Sequence, residues 1–215
     1  GENLGALIEG ASTNLITRSE KFDNVIWSKI NSAITANQVL APDGSYSADL
    51  LAEDGATGYH SIAMAVTPSL ANTKYSFSVF LKAGKRTRVS ITSGGSALAS
   101  GGSGPDLQSV IDLTTGEVIT SNNSVKLEKL SNGWYRCSIT VTSGTNLGSI
   151  GPRLNLVQSS STTVSYAGGG AGANAGIYVW GAQCEALPFA SSYIRTDGSA
   201  VSRSSDGLSI GADNI

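Results

Sequence analysis

Short apolar runs with a period of two, separated by Gly, Asn, Asp and Pro turns, constrain this chain more than any other feature of its 215 residues. A period of two sends alternate side chains to opposite faces of a strand, and closely spaced turn residues leave no room for long helices. Tyr75-Ser76-Phe77-Ser78-Val79-Phe80-Leu81 is the clearest run, with Tyr75, Phe77, Val79 and Leu81 on one buried face. Gly84 ends it. Residues 86–92 follow as its expected hairpin partner, with Val89 and Ile91 inward and Arg86, Arg88 and Ser90 outward. Asn132-Gly133 is a strong hairpin signal between two apolar runs, delivering a strand on which Tyr135, Cys137, Ile139 and Val141 share a face.

Residues 177–185, Ile-Tyr-Val-Trp-Gly-Ala-Gln-Cys-Glu, are expected to form a long, late strand. Ile177 and Val179 lie on one alternation set and Tyr178 and Trp180 on the other, as in a central strand covered on both faces. One face meets the core, and the other requires a second packing layer, a partner chain or a ligand. Further strands are expected near 48–52, 59–66, 110–113, 117–120, 124–130, 153–157 and 163–166, roughly ten in all. No fixed-period repeat suggests a propeller or β-helix. The strand count exceeds a standard immunoglobulin-like domain, so the expected fold is all-β, an antiparallel sandwich of jelly-roll type. Ser19 caps one expected helical turn over 19–27, anchored by Phe22, Ile26 and Trp27. The expected organisation is an extended N-terminal arm over 1–17, the sandwich over 18–190, and a Ser/Asp/Gly-rich tail over 191–215 that leaves the domain. A Gly/Ser loop over 93–105 is long enough to be mobile or functional. The chain opens on Gly1 rather than Met, as expected of a piece of something longer.

Charged residues make up 14% of the chain, against roughly 25% in an average globular protein, so the surface is expected to be largely neutral and polar. A net charge of −2 with no long charged run offers no footprint for nucleic acid or an anionic membrane, and no apolar run approaches a membrane span. Cys137 and Cys184 sit inside apolar runs, where buried free thiols are the common outcome; a disulfide requires that their strands be neighbours.

Four stretches together carry a resemblance. Asn14-Leu15-Ile16-Thr17-Arg18-Ser19-Glu20-Lys21-Phe22-Asp23, with Trp27 beyond it, resembles the NLLxRSExFD…W opening of domains in bacteriophage tail-fibre and minor structural proteins. Asn132 to Cys137 resembles their NGWYR strand, and Gly176 to Glu185 their GIYxWGAQxE strand. Ser192-Tyr193-Ile194, with Thr196 and Gly198-Ser199-Ala200-Val201, resembles their closing SYIPTxGSAVTR, except that Arg195 stands where the family carries proline. The resemblance implies a carbohydrate-binding-module-like sandwich on a virion appendage, extracellular and commonly trimeric.

The residues carry no Gly-x-Ser-x-Gly elbow, no His-Glu-x-x-His and no Cys/His cluster, and the single histidine, His60, is in phase with Ile62 and Met64. No enzymatic activity and no cofactor are therefore expected. Asp43, Glu53, Asp54 and Asp112 are the possible carboxylate partners for catalysis, but they sit in or beside turns, where solvated Asp and Glu are the ordinary finding. Loop oxygens of Asp, Asn and Glu can hold a Ca²⁺ ion, although turn chemistry accounts for such residues equally well. Glycans are bound by an aromatic face under the sugar ring and by planar hydrogen-bonding groups around its hydroxyls. The candidates are Trp27, Tyr59, His60, Arg86, Arg88, Trp134 and Arg153. The leading expectation is a non-catalytic tail-fibre or receptor-binding domain contacting bacterial surface polysaccharide. The alternatives are a structural spacer or trimerisation module of a fibre, and the carbohydrate-binding module of a secreted polysaccharide hydrolase.

Overall fold

The computed structural model describes residues 8–98, 108–121, 124–158, 160–169, 172 and 174–207. Most of the Gly/Ser loop singled out above lies outside them. Sixteen strands follow in chain order: β1 (Ser12–Asn14), β2 (Ser28–Ile30), β3 (Ser32–Val39), β4 (Ala48–Glu53), β5 (Thr57–Tyr59), β6 (Ser61–Ala63), β7 (Lys74–Lys82) and β8 (Arg88–Gly94), then β9 (Ser109–Asp112), β10 (Glu117–Thr120), β11 (Ser124–Lys129), β12 (Trp134–Thr142), β13 (Gly151–Val157), β14 (Ser165–Ala167), β15 (Gly176–Glu185) and β16 (Val201–Arg203). A first sheet has the order β11-β12-β7-β15-β4-β3 and a second the order β10-β9-β8-β13-β6-β2, and every pairing is antiparallel. Along the chain the inner strands run β4, β6, β7, β8, β9, β12, β13, β15 and change sheet at every step except β8 to β9. The all-β sandwich is thus of jelly-roll type.

The alternation of β7 is as expected, with Tyr75, Phe77, Val79 and Leu81 in the core between the sheets, where they meet Ile62, Val89, Ile91, Leu154 and Leu156. The expected hairpin is not formed. β7 lies in the first sheet and β8 in the second, because the link after β7 crosses the sandwich rather than folding back in plane. At this crossing Gly84 approaches so closely that a Cβ would sit 2.4 Å from the carbonyl oxygen of Gly176. The hairpin at Asn132-Gly133 is present, both residues having positive φ (56° and 76°), and it joins β11 to β12.

β15 is the central strand anticipated, bonded to β7 on one side and β4 on the other. Its register shifts between Trp180 and Gln183, a bulge centred on Gly181 at φ +61°. The bulge exchanges the faces. Ile177 and Val179 enter the core before it, and Ala182 and Cys184 after it. Cys137 and Cys184 lie on strands separated by β7 and are free, buried thiols; burial pushes the Cys184 thiol up to about 12.

Three expectations are corrected. Residues 19–27 form successive turns, closed by Asn24 N–H to Lys21 O and Trp27 N–H to Asn24 O, not a helical segment; Phe22 and Trp27 are anchors, whereas Ile26 is exposed. Residues 191–203 do not leave the domain: Ser191, Ile194 and Thr196 are buried, and β16 pairs with β1. Residues 8–17 of the N-terminal arm are likewise part of the fold. Asn14 holds both segments, donating to Ala182 O and Ile194 O and accepting from the N–H groups of Ile16 and Cys184.

Candidate functional site

The outer faces of the two sheets are treated differently. On the first sheet, Phe80, Trp134 and Trp180 are covered by the 39–48 segment and by Tyr193. Phe80 and Trp180 meet edge to face at 5.2 Å, Trp180 Nε1 donates to Ser47 Oγ at 3.0 Å, and Trp134 Nε1 donates to Leu40 O at 3.2 Å. The second packing layer required by Tyr178 and Trp180 is therefore supplied by the chain itself.

The outer face of the second sheet carries a groove of about 580 Å³, within the range of small-ligand sites. Its floor follows from strand alternation. Leu154 and Leu156 of β13, Val89 and Ile91 of β8 and Ile62 of β6 point into the core, so Arg153, Asn155, Ser90, Thr92, Ser61 and Ala63 point outward. Register aligns them in rows: Asn155 lies between Ser61 and Ser90, and Arg153 between Ala63 and Thr92. Ser28 of β2 extends the second row, and Tyr59, Ile26 and Gln108 stand along the walls. Gly94, Gly95 and Gly151 leave bare backbone at one end.

The floor is polar and incompletely satisfied. Of the lining residues, Asn155 and Thr92 each bury a side-chain oxygen, Oδ1 and Oγ1, with no hydrogen-bond partner among the described residues; Ser90 Oγ and Ser61 Oγ, which flank Asn155 but do not line the groove, are unpaired as well. Buried polar atoms are nearly always paired, and each orphan costs about 1–3 kcal/mol. Asn155 Oδ1 and Thr92 Oγ1 thus lie just below the groove's surface as unsatisfied acceptors.

Of the seven residues proposed from the sequence, Tyr59 and Arg153 line this groove. The others do not, and four of them present no accessible face. Trp27 is buried with Nε1 donating to Arg18 O, because Phe22 stacks on its ring at 4.8 Å. Trp134 belongs to the covered layer of the first sheet. His60 is fully buried, its ring nitrogens 2.7 Å from Asn31 O and 3.2 Å from Tyr166 O. Arg86, expected to face outward, is buried because it forks Glu53, Nε donating to Oε2 at 2.8 Å and Nη2 to Oε1 at 2.7 Å. Arg88 is half-buried and tied to Asp112 at 3.1 Å.

Glu53 also accepts from Tyr166 OH at 2.7 Å and from Gly169 N–H at 2.9 Å. Burial opposes its ionisation, but these donors and Arg86 outweigh it and hold the carboxyl below the ordinary range. The turn acids weighed as carboxylate partners are engaged locally: Asp43 with Ser45 N–H, Asp54 with Ala56 N–H and Asp112 with Thr114 N–H, each the turn geometry of a short carboxylate side chain. Among the described residues no three His, Cys, Asp or Glu side chains converge, and no helix is long and apolar enough to cross a membrane.

Asn155, Thr92 and Gln108 were absent from the sequence-based set. Asn155 was within reach of it: it stands two residues beyond Arg153, in the outward phase between Leu154 and Leu156. The orphaned state of its oxygen depends on packing and has no sequence signal.

No family model matches the chain, and no curated protein matches it. Among solved structures, the enzymatically active domain of tailspike protein 4 of bacteriophage CBA120 is similar over 80% of this chain and 21% of that chain, at 11% identity and a TM-score of 0.44. That likeness removes the expectation that the domain has no enzymatic activity; at this identity and score it assigns no reaction in its place.

Proposed function

We propose that the groove on the second sheet binds saccharide, and that the domain serves a phage tail fibre or related virion appendage in contacting bacterial surface polysaccharide during host attachment. The observation that carries the reading is the set of orphaned polar atoms on the groove floor, Asn155 Oδ1 and Thr92 Oγ1 foremost, beneath the half-exposed ring of Tyr59. Sugar hydroxyls supply donors and acceptors at the spacing of neighbouring strands, and the apolar face of a sugar ring packs on an aromatic plane. The four sequence stretches that resemble tail-fibre domains supply the biological setting.

The test is a panel of bacterial surface polysaccharides and oligosaccharides, measured by glycan array and calorimetry with the intact chain. Binding that is lost in Tyr59→Ala and Asn155→Ala supports the groove. Binding that survives both substitutions, or no binding anywhere on the panel, overturns it.

A further inference from the structure

Resting on the saccharide reading of the groove, we infer that the sugar it takes is anionic, carrying an oxyanion held by Arg153.

The other arginines of this chain all have partners within it. Arg18 is paired with Asp197, Arg86 with Glu53, Arg88 with Asp112, Arg195 with Glu20 and Arg203 with Glu9. Arg136 has no carboxylate but donates from Nη2 to Ser78 Oγ and to Ser191 O. Arg153 alone has neither an ion pair nor a hydrogen bond among the described residues, and it is the one cationic side chain lining the groove. Among the described residues no Asp or Glu lines the groove with it. A guanidinium on a half-buried sheet face, with no counter-charge among the described residues, is a fork open to an external oxyanion.

Its neighbours fit the remainder of such a ligand. Thr92 lies opposite Arg153 in register, and Asn155 is two residues along the same face, each with an orphaned oxygen. An oxyanion on Arg153 leaves the adjoining ring hydroxyls to donate to Thr92 Oγ1 and Asn155 Oδ1. A neutral sugar satisfies these oxygens equally well but leaves the guanidinium unpaired. The selectivity therefore resides in Arg153 and the general affinity in the floor. Carboxylate and phosphate groups both match the fork.

The test compares three sets of polysaccharides on the intact chain: uronic-acid-bearing, phosphate-bearing and neutral. Carboxyl-reduced forms of the acidic binders are included. The expected result is that binders fall in an anionic set and lose at least about tenfold in affinity on charge removal or in Arg153→Gln. Arg153→Lys recovers part of the loss, and added salt weakens wild-type binding. Arg153→Gln should leave the melting temperature unchanged, since the guanidinium has no partner to lose among the described residues. Neutral binders unaffected by Arg153→Gln overturn the anionic assignment and leave the saccharide groove standing. Absence of binding in all three sets overturns both. Binding by the uronic-acid set alone or the phosphate set alone identifies which oxyanion the fork receives.

Discussion

Arg86 and Glu53, distant in sequence, form a two-bond fork at 2.8 and 2.7 Å in the interior of the domain. Each charge depends on the other. Arg86→Met leaves the Glu53 carboxylate buried with two neutral donors, and is expected to cost about 3–5 kcal/mol in urea unfolding. Glu53→Met combined with Arg86→Met is expected to cost less than the sum of the single changes, because no charge is then stranded. The folded carboxyl titrates below its unfolded value of roughly 4.3, so its contribution is complete above that pH and is lost as acid carries the solution down through the folded value.

Asp49 behaves in the opposite sense. Burial pushes its carboxyl up to about 6, against the N–H donors of Phe22 and Asn37 that favour ionisation. Between roughly pH 4 and 6 the folded protein holds a proton that the unfolded chain has released. Stability therefore falls as pH rises through that window, by on the order of 3 kcal/mol. Asp49→Asn is expected to remove this slope from melting curves collected between pH 4 and 7; a slope unchanged in the variant would sink the assignment.

Gly181 permits the bulge that turns the second half of β15 over. A Cβ at this position would sit 2.8 Å from Phe80 Cδ2, with φ at +61°. Gly181→Ala is expected to cost about 2 kcal/mol or more, from backbone strain and displacement of the Phe80 ring. Denaturant unfolding measures the cost, and Trp180 fluorescence should report the disturbed contact.

Asn155→Ala separates function from stability. The substitution removes an orphaned acceptor, so the melting temperature is expected to hold or rise, while saccharide affinity falls at least about tenfold. A residue retained for packing would show the reverse: lower stability and unchanged binding.

The strands with strict alternation were legible because burial on one face leaves a local trace. Tyr75, Phe77, Val79 and Leu81 announce β7, and Asn132-Gly133 announces the turn before β12. The sheet to which each strand belongs was not legible. The link around Gly84 is as short as a hairpin loop, yet it crosses the sandwich from β7 in one sheet to β8 in the other, passing close to Gly176. β2 and β3 escaped notice because Ser28 to Val39 is largely small and polar, with the turn at Asn31 carried by one positive φ. Arg153 and Arg86 read alike as outward positions of strands. What distinguishes them is the Glu53 carboxylate that β4 supplies to Arg86, whereas no described carboxylate meets Arg153.

The central position of β15 also governs the order in which a nascent chain can finish folding. β4 and β7 pair with β15 and not with each other, so both offer bare backbone edges until residues 176–185 have been translated. The same late segment brings the anchors for Asn14, through Ala182 and Cys184. The first sheet is thus a late product of synthesis, and its edges are exposed to mispairing with neighbouring chains for most of translation.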